Sequence, residues 1–178
     1  MTSQLSGEQS PSVSADLTRT LYGDRFAQLH EPWRKLLSTA AFRYQEGLAP
    51  DDRAALSYER LRLVNDAVAD PVRLVQDIEQ LSAVHEWMGA VDQGLGTVAS
   101  IHFNLFLGSL LDHDGRQRDL REFTALTRTG TFLCTEAAHG NSASQLETTA
   151  AYDPDSRTFL LHTPSPAAAK FMPNTSST

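Results

Sequence analysis

Phe132-Leu133-Cys134-Thr135-Glu136-Ala137-Ala138-His139-Gly140 is the stretch on which the reading of this chain turns, and three shorter blocks follow it in order. They are Leu146-Glu147-Thr148-Thr149-Ala150, then Tyr152-Asp153-Pro154, and finally Lys170-Phe171-Met172-Pro173. Thr131 to Cys134 is short, apolar and β-prone, and Thr148 and Thr149 lie in a second such run at 146–152. Asp153-Pro154-Asp155-Ser156 is a turn signal, because proline presets its own φ and the aspartates can bond nearby backbone. Residues 157–163 then return as the second strand of a hairpin. Two or three strands with open edges make a marginal sheet in water. Either the helices cover these strands or further polypeptide completes them, and a partner chain is the favoured expectation.

Outward from that stretch toward the N-terminus the pattern is helical. Residues 15–128 are predicted to form a succession of helices, 129–178 the incomplete opening of a β-domain, and 1–14, polar and rich in Ser, Gln and Thr, a disordered lead-in. Asp16 is the expected cap of a first helix carrying Leu17, Leu21, Phe26 and Leu29. Pro32 begins another, where a missing N–H costs nothing. Pro50 with Asp51 and Asp52 marks a third, with Ala54, Tyr58, Leu61, Val64 and Val68 at the helical period. Asp70-Pro71 opens a fourth, with Leu74, Ile78, Leu81, His85 and Met88 on one stripe. The run 95–111 is apolar nearly all round and is expected to be the central core helix rather than a membrane span, being short for a bilayer. A short helix at 118–126 should turn Leu120, Phe123 and Leu126 inward. The fold class is therefore mainly α, a helical bundle followed by opening strands.

A net charge of −7 argues against a nucleic-acid binder, which needs a basic face for phosphates. The basic residues between Arg116 and Arg128 alternate with Asp119 and Glu122 and read as a solvated helix face. Nothing at the N-terminus has the basic start and apolar run of a signal peptide. One cysteine, Cys134, leaves no internal disulfide and no multi-cysteine metal site, and a reducing, cytoplasmic compartment is the expectation. Asp112-His113-Asp114 is taken as a solvated turn and no metal is expected. No phosphate loop or dinucleotide fingerprint occurs; Gly94 and Gly96 open a helix without a preceding strand. Lysine is scarce, with only Lys35 and Lys170 against 13 arginines.

The four blocks, in that order and spacing, resemble the acyl-CoA oxidases, a branch of the acyl-CoA dehydrogenase superfamily of flavoenzymes. The resemblance is specific from about residue 129 onward. It implies a helical bundle of the acyl-CoA dehydrogenase type and a middle β-domain whose edge lies against FAD. On that resemblance Thr135 is expected to bond the flavin ring and Phe132 to lie beside it. Phe171 supplies apolar wall, Cys134 and Gly140 share the same edge, and Asn174 stands where the family has a flavin-contacting glycine. A flavin needs donors at its carbonyl oxygens and N5 and a flat apolar wall, which this edge can offer. His102 and Asn104, polar groups in an apolar helix, must find partners; His102 is a candidate for lining the acyl pocket. His139 is assigned to structure.

The implied activity is formation of an α,β-double bond in an acyl thioester, linked to CoA or to a carrier protein. The family's base is a glutamate on a C-terminal helical domain, and no acidic residue here corresponds to it. The chain is therefore expected to hold no catalytic residue itself. It would act as the small subunit of a split FAD-dependent enzyme, in a heterodimer or α2β2 assembly whose second polypeptide brings the glutamate. The alternative is a non-catalytic scaffold or carrier-protein-docking subunit.

Overall fold

The computed structural model describes residues 12–113, 118–140 and 142–171. The expected lead-in therefore lies almost wholly outside the described residues, as do Met172, Pro173 and Asn174. Seven helical segments lead into the core. They are α1 (Val13–Tyr22), α2 (Phe26–Leu29), α3 (Glu31–Leu37), α4 (Pro50–Ala67), α5 (Pro71–Gln76), α6 (Ile78–Val91) and α7 (Gln93–Ala99). Helix α7 runs on through π-type turns (Ser100–Gly108) into α8 (Ser109–His113), and α9 (Arg121–Thr124) follows. Strands β1 (Thr149–Asp153) and β2 (Thr158–His162) form one antiparallel hairpin, with Thr149 opposite His162 and Asp153 opposite Thr158.

Capping aspartates set three of these helix starts. Asp70 accepts from the amides of Val72 and Arg73, Asp77 from those of Glu79 and Gln80, and Asp92 from that of Leu95. Each satisfies donors that have no partner within the first helical turn. Asp77 overturns the expectation of one helix from 71 to 88. Its extended backbone ends α5 and its side chain starts α6, so Ile78 falls off the buried stripe and is exposed, while Leu74, Leu81 and Met88 are buried. The first helix also departs from expectation. Its cap is Ser12, not Asp16, which instead pairs with Arg19, and no residue of α1 is buried. Asp70→Ala should cost about 1 kcal/mol by loss of the cap, lowering the melting temperature by roughly 2–4 °C in a thermal scan.

The core is helical: Leu61 and Val64 of α4, Val84 and Met88 of α6, and Leu95, Phe103 and Leu107 of the long helix are fully or almost fully buried. Arg60 is buried among them because its guanidinium is saturated. It donates to the carbonyls of Ala41 (3.0 Å) and Arg43 (2.6 Å) and pairs with Asp92, joining the 3₁₀ turn Ala40–Phe42 to the start of α7. The helix over Gln93–His113 is long and apolar enough, by length and composition alone, to cross a membrane. It packs on α4, α5 and α6 along one face only. Leu95, Ala99, His102, Phe103 and Leu107 are buried, whereas Asn104 and Leu105 are exposed. The expected all-round burial, and with it the need for Asn104 to find an internal partner, is corrected on that point.

The β-segment lies apart from this core. Every residue of β1 and β2 is exposed, so apolar side chains stand uncovered on the hairpin. Residues 131–134 were expected to be a strand and form no ladder; the chain first pairs at Glu136.

Candidate functional site: a strand edge held by a buried glutamate

The sequence blocks quoted above meet around one side chain. Glu136 is 0% exposed. Its carboxylate accepts from the amides of Glu147 and Thr148 and from the Lys170 ammonium, each at 3.0 Å. Lys170 also donates to the Cys134 carbonyl at 3.1 Å. Around this knot, His139 lies 2.9 Å from a Glu147 oxygen, and Ser165 donates to the other Glu147 oxygen at 3.0 Å. Three segments far apart in sequence are thus tied by charge-assisted hydrogen bonds, which outperform neutral ones. Gly140 closes the 136–140 turn with φ +51, in the region that suits glycine, and donates its amide to the Glu136 carbonyl.

Burial alone would raise the Glu136 carboxyl. The amide of Glu147, the amide and hydroxyl of Thr148 and the Lys170 ammonium outweigh it and hold it at about 2. A group depressed in the folded state stabilises fully above its unfolded value of 4.5, and that contribution is lost as pH falls through about 2. Between those values the β-segment should open to protease before the helices melt, and Glu136→Gln should remove that acid dependence.

The flavin-site expectations land on the rim of this knot. The amide of Phe171 donates to the Thr135 carbonyl at 3.0 Å, and Ala137 donates to Ala169, so 135–137 and 169–171 run antiparallel. Among the described residues, the Thr135 amide and hydroxyl make no hydrogen bond. Phe132 and Phe171 are exposed and Cys134 is half-buried. Free donors at a strand end with exposed aromatic faces nearby suit a flat heteroaromatic ring bearing carbonyl acceptors, so the residues present fit a flavin. Asn174 lies outside the described residues.

His102 does not join this edge. It is buried, donating from Nε2 to the Phe123 carbonyl (3.1 Å) and accepting at Nδ1 from the Gly130 amide (3.2 Å). With both ring nitrogens used inside the chain, none is left for an acyl substrate. Burial pushes its imidazole down, opposed by the bond to Phe123, so the neutral ring is favoured. His85 is held through Nδ1 to the Leu81 carbonyl and is likewise lowered by burial. Glu136 and Lys170 were the missed residues. The available signal was a lysine retained where arginine otherwise prevails, yet it lies 34 positions from its partner and only the fold joins them.

The architecture is a mainly helical bundle followed by a short antiparallel hairpin. No protein-family model matches the chain. Over 129 residues, 70% of its length, it is 32% identical to Acyl-coenzyme A oxidase 2, peroxisomal, of Arabidopsis thaliana, covering 19% of that protein. It is 37% identical over 105 residues to Acyl-coenzyme A oxidase 1 of Yarrowia lipolytica, 55% of this chain and 15% of the relative. It is 33% identical over 95 residues to Peroxisomal acyl-coenzyme A oxidase 3 of Homo sapiens, 52% and 13% respectively. In fold it is similar to the crystal structure of acyl-CoA oxidase 1 from Yarrowia lipolytica. That match has a TM-score of 0.72 at 27% identity and covers 89% of this chain and 24% of the other.

The resemblance to the N-terminal portion of the acyl-CoA oxidases thus holds in sequence and in fold. The chain spans about a fifth or less of the curated relatives described above. The cytoplasmic expectation is corrected. The Arabidopsis and human relatives are peroxisomal by name, and one unpaired thiol points to reducing conditions without choosing among compartments that provide them.

Proposed function

We propose that this chain forms the flavin-edge portion of an FAD-dependent acyl-CoA oxidase- or dehydrogenase-like enzyme, as a small subunit completed by a second polypeptide. The observation that carries this reading is the uncovered hairpin. Tyr152, Phe159, Leu160 and Leu161 are between 55% and 73% exposed, beside an edge whose Thr135 donors lack partners among the described residues. An apolar two-stranded ribbon of this kind gains by pairing and packing with further strands. The second polypeptide would supply those strands and the glutamate that removes the α-proton.

In this reading the Thr135 amide and hydroxyl donate to the ring of FAD, while Phe132 and Phe171 screen it from water. Cys134 and Gly140 shape the backbone on either side, and Asn174 is the proposed further contact. When bound, FAD supplies the acceptor for hydride from the β-carbon of the acyl thioester. The chain's own part is to orient the ring and exclude water, since no carboxylate among the described residues is assigned as the base. Glu136, the buried carboxylate closest in sequence, is committed to Lys170 and two amides.

The test is reconstitution. The chain, mixed with a polypeptide carrying the remaining oxidase fold, should take up FAD with a shifted visible spectrum and oxidise acyl-CoA. Thr135→Val should weaken FAD binding by about tenfold, the loss expected for a good hydrogen bond to a buried acceptor. An assembled complex that binds FAD equally with and without residues 131–171 would instead support the scaffold or carrier-docking reading.

A further inference from the structure

The helical bundle and the strand edge meet at Gly130, and the geometry there assigns His102 a part in the site. We propose that His102 is a positioning residue that fixes where the chain leaves the bundle, and thereby where the Cys134–Thr135 edge lies. This rests on the flavin-edge reading for its functional meaning, although the joint itself can be tested without flavin.

Three observations carry it. His102 and Phe103, in the π-type turns over Ser100–Gly108, are both buried on the face that packs toward the bundle. Because Nδ1 accepts from the Gly130 amide, the ring proton must sit on Nε2, where it is donated to Phe123 in α9. One imidazole thus clamps the long helix, α9 and the exit of the chain. The clamp is also closed sterically. A methyl group on Gly130 would stand 1.9 Å from the Phe106 ring. That ring is stacked on His102 at 6.0 Å and meets Phe123 edge-on at 4.7 Å.

Beyond Gly130 little else fixes the segment. Among the described residues, 131–133 make no hydrogen bond, and the next tie is the Cys134 carbonyl, which accepts from Lys170. Three residues span at most about 10 Å, so the course of 131–133 is set by its two ends. One end is the Glu136 knot and the other is His102.

The two hydrogen bonds can be separated by substitution. In His102→Asn the side-chain carbonyl occupies the place of Nδ1 and keeps an acceptor for Gly130 while losing Phe123. In His102→Gln the amide reaches the place of Nε2 and keeps a donor for Phe123 while losing Gly130. Cys134, the only thiol and half-buried, reports the segment directly through its rate of labelling by a maleimide. The full chain carrying His102→Gln should label about fivefold faster than wild type, the factor expected for loss of one buried hydrogen bond. His102→Asn should stay within about twofold.

A merely structural histidine would lower the melting temperature in both variants and leave their labelling alike, which would overturn the proposal. Should both variants fail to fold, exchange of the Gly130 amide in the wild-type chain decides instead. Slow exchange supports the clamp, and exchange as fast as an open loop refutes it. FAD binding by the reconstituted complex is then measured for both variants. Unequal labelling without FAD binding by any preparation removes the flavin reading and leaves the joint standing. FAD binding with equal labelling removes the joint alone.

Discussion

Glu136→Ala should unfasten the β-segment while leaving the helical core folded. The substitution strands the Lys170 ammonium, whose side chain is 21% exposed, and leaves the amides of Glu147 and Thr148 without their acceptor. Removing one member of a buried ion pair is far more damaging than removing both, because the survivor keeps its desolvation cost. Limited proteolysis within 137–148 should accelerate by at least about tenfold, while far-ultraviolet circular dichroism from the helices changes little. The double variant Glu136→Leu/Lys170→Met should recover part of the resistance, and a double-mutant cycle would measure the coupling. Uniform loss of helix and β-segment in Glu136→Ala would show that the two unfold as one unit, contrary to this expectation.

Gly130→Ala is the second large effect, and it should act on the helical side of the same joint. Its Cβ would overlap the Phe106 ring, which has Phe123 and His102 against its other surfaces and so cannot simply turn away. Overpacking of this kind costs about 3 kcal/mol, at the upper end of the usual range. For a chain of this size that is roughly a 10 °C fall in melting temperature. Gly130→Ala combined with Phe106→Leu should restore a substantial part by vacating the ring's space. A single substitution with unchanged melting temperature would mean that the Phe106 ring is held much more loosely than its contacts imply.

These two positions show how far the residues themselves reach. The motif around Glu136 was legible because four blocks fell in order, and the resemblance they carry holds in sequence and fold. Their assignment as cofactor contacts was not the whole of their purpose. Glu136, His139, Glu147 and Lys170 bond to one another and to nearby backbone, and so build the corner next to Thr135. Helix starts at Pro50 and Asp70 were readable because proline and aspartate act locally. The break at Asp77 was not, since the apolar stripe running through it is equally compatible with one helix or two. His102 was recognised as a polar group that needed partners, but the partners, Phe123 and Gly130, lie 21 and 28 residues away.

Local chemistry in the sequence therefore determined the helical character of residues 15–128, the hairpin about Asp153-Pro154 and the resemblance to a flavoenzyme edge, because propensity, capping and turn formation depend on near neighbours. The tertiary structure alone decided which charges are buried together and which helix faces stay uncovered. It also decided that a single imidazole couples bundle to strand. Those outcomes depend on groups brought close by folding, whose separation along the chain leaves no periodic trace.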